Sequence, residues 1–450
     1  MARTYKKNAQ NVFKIPLYAV LWFWLLIAFL FAVVLTLLLF ALFNTTILLV
    51  SLVAWLVVVI LIIVKACSVV KRMIKAGTIE TYFIETSSEK AIIKSLLATM
   101  SVNRLQDTPH ISVPHVAVCA STLPACIRVE IEKLAGMYDI DKMIEDINSS
   151  FRKKLSDYAV TSALITENGL MYKFILEDKG SDKTWRPATL NEMKQKSHVI
   201  KLQENLSVNL ADSPHLIVWG KSGSGKSTAI LAMILQLFLQ GAETYFIDPK
   251  LEYSAFKNFY PSDMIAEDTE AILGLLRRVC DKLKDRQRKV SKGVRERKKM
   301  GLRAYDLDMK PVVVVADEIG SAVAMMDSKQ KKEFLGLLTQ IVQKGRSVSV
   351  FAIVGTQSPK VETTLSSDIR QQFATKILLG SANGDVQRMA FDGEVATKGN
   401  TERFKGFYIS DGKTNEQPLS FAVTDLHAHG LNSLENFQKA YEIGSNAVQS

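Results

Sequence analysis

At 450 residues, with 56 lysines and arginines against 45 acidic residues, the chain carries a formal net charge of +11. That length accommodates two or three domains, each with its own core, and the basic excess favours an anionic partner, either nucleic acid or the inner leaflet of a membrane. The four cysteines, Cys67, Cys119, Cys126 and Cys280, lack the CxxC spacing of a zinc site or redox pair and read as reduced thiols of a cytosolic protein.

Residues 17–64 are apolar almost without interruption, broken by Asn44, Thr45 and Thr46. A spanning helix needs roughly 20 apolar residues, so residues 17–43 and 47–64 predict a transmembrane hairpin over residues 1–65. A secretory signal would have a shorter apolar run and a small-residue cleavage site. Arg3, Lys6, Lys7 and Lys14 precede the first span, Lys65, Lys71, Arg72 and Lys75 follow the second, and the connecting turn is uncharged. Positive flanks stay inside, which places both termini in the cytoplasm and makes the cell membrane the first expected partner.

Residues 66–198 predict a small α+β adaptor domain. A helix is signalled by the capping box Thr86-Ser87-Ser88-Glu89 and the apolar positions Ile92, Ile93, Leu96, Leu97 and Met100. Strand-like runs at 113–119 and 127–131 precede a helix with apolar Ile140, Met143, Ile144 and Ile147. Two further runs, 160–166 and 170–177, flank Asn168-Gly169 as a hairpin turn would. No catalytic residues are evident there, and a polar stretch at 178–196 marks its end. Residues 199–425 alternate strands and helices in the manner of a doubly wound parallel α/β sheet. Residues 426–450 read as a helix or tail, with Asp425, His427 and His429 as solvated polar surface rather than a metal site.

The chemistry concentrates in that α/β region. A buried-strand run at 216–219 feeds Gly220-Lys221-Ser222-Gly223-Ser224-Gly225-Lys226-Ser227, followed by Thr228 and a helix. This is GxxxxGK[ST] in its strand-loop-helix setting: glycines let backbone N–H groups wrap a phosphate chain, Lys226 reaches the β- and γ-phosphates, and Ser227 holds Mg²⁺. Its partner is the apolar run 312–316 ending on Asp317 and Glu318. Asp317 suits the Mg²⁺ shell, and Glu318 suits the base that activates the attacking water. A third apolar run, 348–354, leads to Gln357, a γ-phosphate sensor or an ordinary strand-end glutamine.

From about His215 to Gly412 the sequence resembles the FtsK/SpoIIIE motor domain. Pro214-His215-Leu216-Ile217 is similar to that family's PHLL lead-in, Ile247-Asp248-Pro249-Lys250 to its IDPK motif, and Gln343-Lys344-Gly345-Arg346 with Thr356-Gln357 to the stretch from its AR pair to ATQRP. Ser358 departs from the family's usual arginine, and Val348 from a glycine. The resemblance implies a RecA-like P-loop core, a hexameric ring, and ATP-driven DNA movement with Mg²⁺. It also makes Gln357 the sensor, offers Arg388 as a finger supplied in trans, with Arg370 and Lys376 behind it, and sets Lys398, Arg403 and Lys405 near the DNA-facing pore loop. A two-span anchor, adaptor and single motor resemble the coupling proteins of Gram-positive conjugative elements, which implies a relaxase and transfer-channel proteins as partners. A protein-export ATPase and a nucleotide-gated docking scaffold are the alternatives.

A cationic stretch from Arg277 to Arg303, containing Arg286, Arg288 and Lys289, is opposed in sequence only by Asp281, Asp285 and Glu296. It reads as a solvated helix face or as a surface for DNA phosphates.

Overall fold

The computed structural model describes residues 31, 45–102, 114–122, 125–133, 140–152, 155–166, 168–178, 180–357, 365–380, 382, 384–393, 402–412, 414 and 417–449. The chain divides into two compact units, Met1–Ala159 with Ile165–Ser181, and Val160–Leu164 with Asp182–Ser450.

In the first unit α1 (Thr45–Ala76) ends at Gly77, whose φ of 80° lies where side chains are strained and whose N–H closes on the Met73 carbonyl at 3.1 Å. Helix α2 (Ile79–Val102) follows at once. Thr78 and Thr81 exchange backbone-to-hydroxyl hydrogen bonds of 3.2 Å, a capping box with threonine in place of the usual Glu or Gln. The predicted start at Thr86 is thereby corrected: residues 86–89 lie inside the helix, and Ser88 is fully buried. Among the described residues no helix is long and apolar enough to cross a membrane. The first predicted span, residues 17–43, lies outside the described residues except for Phe31.

A four-stranded sheet is built from β1 (Val116–Thr122), β2 (Ala125–Glu132), β3 (Tyr158–Ile165) and β4 (Met171–Asp178) in the order β1-β2-β4-β3; of these strands, only Val160–Leu164 of β3 is counted with the second unit. Ile127, Val129 and Ile131 alternate along β2 and are fully buried, as a strand with one apolar face requires. Helix α3 (Ile140–Ser150) buries Met143, Ile144 and Ile147 on its apolar stripe. The turn falls at Asn168-Gly169, where the Thr166 N–H donates to the Met171 carbonyl at 2.9 Å.

The second unit opens with the antiparallel pair β5 (Val199–Gln203) and β6 (Leu206–Asn209). Its main sheet comprises β7 (Leu216–Gly220), β8 (Glu243–Ile247), β9 (Ile265–Ala266), β10 (Val312–Ala316), β11 (Val350–Thr356), β12 (Thr375–Leu379), β13 (Lys405–Ser410) and β14 (Leu419–Ala422). The order is β14-β13-β12-β7-β11-β10-β8-β9; the run from β12 to β9 is parallel, and β13 and β14 are antiparallel additions. Every residue of β7, β10 and β11 is buried, which explains their unbroken apolar sequences: helices cover both faces. Those helices are α4 (Lys226–Leu239), α5 (Thr269–Arg297), α6 (Ser328–Val348) and α7 (Leu434–Gln449). Far from a loose tail, α7 packs on α4 through Phe437 and Tyr441, whose rings meet Phe238, and Gly444 lies so close to the Phe238 carbonyl that no Cβ would fit.

Two histidines lock this sheet from below. His215, at φ 61°, is fully buried and accepts the Ala352 N–H on Nδ1 at 3.0 Å, which ties the start of β7 to β11. His198 lies between the hydroxyls of Ser197 and Ser349, 2.9 Å from each. Burial pushes both imidazoles down to about 4, with the charges of Arg286, Lys310 and Arg303 adding to the effect on His198. Their folded values lie below the unfolded one, so the unfolded chain takes up protons first and stability is lost as pH falls from about 6.5 towards 4. Each histidine should cost about 2 kcal/mol by about pH 5. Denaturant unfolding near pH 7 and near pH 5 should show the midpoint of this unit falling; an unchanged midpoint would contradict the assignment.

Candidate nucleotide-binding site

The carboxyl ends of β7, β10, β8 and β11 converge on one cavity of about 280 Å³. The loop after β7 reaches α4 through Gly225, which has a φ of 104° and faces the Phe404 ring where a Cβ would stand. Only glycine satisfies both constraints. Lys226 opens α4 and is buried; its ammonium lies 2.9 Å from Asp317 Oδ1 and also donates to the Asp317 carbonyl. Ser227 Oγ donates to Asp317 Oδ2 at 2.7 Å. A hydroxyl and a carboxylate this close are the hard oxygen donors that Mg²⁺ takes alongside phosphate oxygens and water. Among the described residues no group of three or more His, Cys, Asp or Glu side chains could hold a metal without such help.

Glu318 is 6% exposed, with Oε2 3.8 Å from Lys226 Nζ and 3.9 Å from Lys250 Nζ. That oxygen accepts no hydrogen bond among the described residues. The loop after β8 owes its shape to Asp248, whose carboxylate accepts the N–H groups of Glu252 at 2.8 Å and Tyr253 at 2.7 Å. Burial raises the Asp248 carboxyl above its ordinary range, against the pull of those two bonds. Lys250 and Glu252 consequently line the cavity.

Of the residues expected here, Lys221, Ser222, Gly223, Gly225, Lys226, Ser227, Thr228, Asp317, Glu318 and Gln357 all line the cavity. Gly220 and Ser224 stand behind it, the serine hydroxyl filling the place of a Gly220 Cβ. Arg388 is exposed and pairs with Asp385 at 3.3 Å, away from the cavity. Arg370 is buried and donates to the Met389 carbonyl at 2.7 Å, and Lys376 pairs with Asp392, so both are engaged within their own domain. A larger cavity of about 360 Å³, lined by Gln287, Arg303, Gln343, Lys344, Arg346 and Ser347, has no carboxylate in its lining.

Several expectations need correction. Arg403, read as a pore-loop contact to DNA, donates from Nε to the Gly223 carbonyl at 2.9 Å and lines the nucleotide cavity with Phe404. The Phe404 N–H also donates to the Ser224 carbonyl at 3.0 Å. His427, read as solvated tail, lines the same cavity. Lys405 pairs with Glu402 at 2.7 Å, and Lys398 lies outside the described residues, as does Ser358. Arg286 is half-buried and donates to the carbonyls of Val348, Ser349 and Lys310 at 3.1, 3.2 and 2.7 Å, so it finishes the end of α6 instead of presenting a cation outward.

The rest of the cationic stretch is likewise more compensated than its sequence neighbours indicate. Arg277 pairs with Glu333 at 2.7 Å, Lys282 with Glu243, and Arg303 with Asp212 at 3.0 Å, in addition to the local pair of Arg288 with Asp285 at 3.0 Å. Lys289, Arg295, Lys298 and Lys299 are exposed and make no ion pair among the described residues.

Residues 176–361 match the FtsK/SpoIIIE family model. This segment is an FtsK/SpoIIIE-family domain. The FtsK domain-containing protein YdcQ of Bacillus subtilis (strain 168) is 27% identical over 211 residues, 46% of this chain and 43% of YdcQ. The DNA translocase FtsK of Mesorhizobium japonicum is 27% identical over 271 residues, 47% of this chain and 29% of that protein. The chain spans less than half the length of the curated relatives it matches. The pCW3 conjugation coupling protein TcpA, solved as a monomer with ATPγS, aligns at a TM-score of 0.49 with 15% identity over 79% of this chain and 99% of that one.

The guanidinium of Arg403, beyond the matched segment, lines the cavity although the local sequence does not assign it to nucleotide. Arg403→Ala should weaken binding of a non-hydrolysable ATP analogue about tenfold, roughly 1.4 kcal/mol, in an equilibrium titration. Unchanged affinity would make Arg403 a support for the loop alone.

Proposed function

We propose that the chain is a membrane-anchored, ring-forming ATPase that moves DNA, serving as a conjugative coupling protein that delivers DNA or a relaxase–DNA complex to a transfer channel. The observation that carries the ATPase reading is the convergence of Lys226, Ser227, Asp317 and Glu318 on one cavity inside an FtsK/SpoIIIE domain. DNA as the substrate draws on the relatives described as DNA translocases.

In this reading the loop N–H groups and Lys226 bind the triphosphate, while Ser227 and Asp317 hold Mg²⁺, which supplies charge neutralisation at the phosphates. Glu318 takes a proton from water as the water oxygen bonds to the γ-phosphorus; the bond to the β,γ-bridging oxygen breaks and ADP leaves. Gln357 is suited to orient the γ-phosphate end. Arg388, exposed and off its own subunit's cavity, is suited to reach a neighbour's site in a hexamer.

Anchoring draws on α1, which presents Leu56 to Val64 as nine successive large apolar side chains, each at least 36% exposed, just before its basic end. Water does not tolerate such a surface and lipid does. Phe31, from the first expected span, has its ring centroid 6.4 Å from that of Trp55. The conjugative setting draws on the resemblance of the anchor, adaptor and single motor to coupling proteins.

ATP turnover by the full chain should rise with duplex DNA and be abolished by Lys226→Ala. Mixing that variant with inactive Arg388→Ala subunits should restore part of the turnover; no rescue at any ratio would remove Arg388 as a finger acting in trans. DNA-independent turnover would favour the export reading, and negligible turnover the scaffold.

Binding to duplex DNA should show little sequence preference, because phosphate contacts position a protein without reading bases. Replacing Lys289, Arg295, Lys298 and Lys299 together should flatten the log-log salt dependence by about 0.9 for each DNA phosphate no longer neutralised. An Arg286→Ala change should instead lower stability. An unaltered salt slope in the fourfold variant would move the DNA surface elsewhere.

A further inference from the structure

We propose that Lys250 is a positioning residue for hydrolysis, the cation that holds Glu318 in place while Lys226 serves the phosphates; this rests on the ATPase reading above. Glu318 is buried at the end of β10, and a carboxylate taken out of water needs compensating charge. Among the described residues that charge comes from two ammonium groups, Lys226 at 3.8 Å and Lys250 at 3.9 Å. Both distances are too long for a hydrogen bond, and Glu318 Oε2 has none. The arrangement attracts the charge yet leaves a lone pair free, which is what a group that must take a proton from water requires.

The two lysines are not equivalent. Lys226 is buried, belongs to the phosphate loop and already contacts Asp317, so a bound triphosphate claims its ammonium. Lys250 sits on the neighbouring strand's loop, 40% exposed at the cavity wall, and among the described residues it forms its ion pair with Glu318. It then becomes the remaining cation within 4 Å of the base.

The local sequence is built to keep it there. Strand β8 pairs with β10 in parallel register, Ile247 beside Ala316, so the residues after the two strands emerge side by side. The Asp248 carboxylate gathers two N–H groups of the following turn, and its own N–H donates to the Ala266 carbonyl at 2.8 Å. Pro249 fixes φ at the next position. Tyr253 closes the turn by burying its ring against Phe246 and Phe256. Asp-Pro-Lys is thus a rigid bracket whose third residue overhangs Glu318.

The test uses the full chain with duplex DNA, comparing Lys250→Met and Lys250→Arg. The methionine variant should lower kcat at least tenfold, leave ATPγS affinity within about twofold, and melt at the wild-type temperature. Arginine should restore most of the turnover. In a double-mutant cycle, Lys250→Met should add nothing to the loss already caused by Glu318→Gln. A tenfold loss of ATPγS affinity would overturn the proposal, since Lys250 would then be a phosphate ligand. So would a further drop in the double variant, or a kcat within twofold of wild type in Lys250→Met. Absence of wild-type hydrolysis would overturn the ATPase reading together with this one.

Discussion

The pairing of Lys226 with Asp317 is the constraint to which much of the second unit is shaped. A buried ammonium costs several kcal/mol unless an opposite charge meets it, and the partner here lies not on the neighbouring strand but across it. β11 runs between β7 and β10, so the ends of three strands must stand level for the two groups to meet. The register does this, with Thr356 beside Trp219 and Val354 beside Ala316. Gly355 makes room on the intervening strand, where a Cβ would collide with the Asp317 carbonyl. His215 sets the same alignment from the opposite edge through its bond to Ala352. The apolar core is the filling that keeps these levels fixed.

A second layer of support lies behind the phosphate loop. Helix α4 is buried along nearly its whole length, and an aromatic cluster of Phe238, Phe246, Tyr253, Phe256 and Tyr260 packs at its far end and along the Asp248 turn. Phe437 and Tyr441 of α7 cover that cluster. Such ring contacts add stabilisation beyond buried area, and here they join the phosphate-binding helix to the bracket that carries Lys250.

What can be read from sequence is what chemistry writes locally. The phosphate loop, the two acids after an apolar run and the Asn168-Gly169 turn each need particular residues at adjacent positions, so their spacing is sufficient. The parallel sheet is legible because β7, β10 and β11 are buried on both faces. Contacts between distant segments leave no such trace. The cationic run looks unopposed in sequence since Glu333, Glu243 and Asp212 are 56, 39 and 91 residues from their partners. Arg403 is misread for the same reason. The cap of α2 escapes a sequence reading because Thr81 does the work usually given to Glu or Gln, and a Thr-x-x-Thr pattern is too common to stand out.

The bond between Arg403 and Gly223 joins residues 180 positions apart. Helix α7, which braces the phosphate-binding helix, follows later still. During synthesis the phosphate loop therefore leaves the ribosome long before the residues that wall its cavity and brace its helix. For that interval α4 exposes an apolar face that only the closing segments can cover, and contacts of such high sequence separation form slowly. An enclosed cavity is thus delayed until those segments have emerged, and a chain stalled before Arg403 is left with a loop that has the right letters and no walls around it.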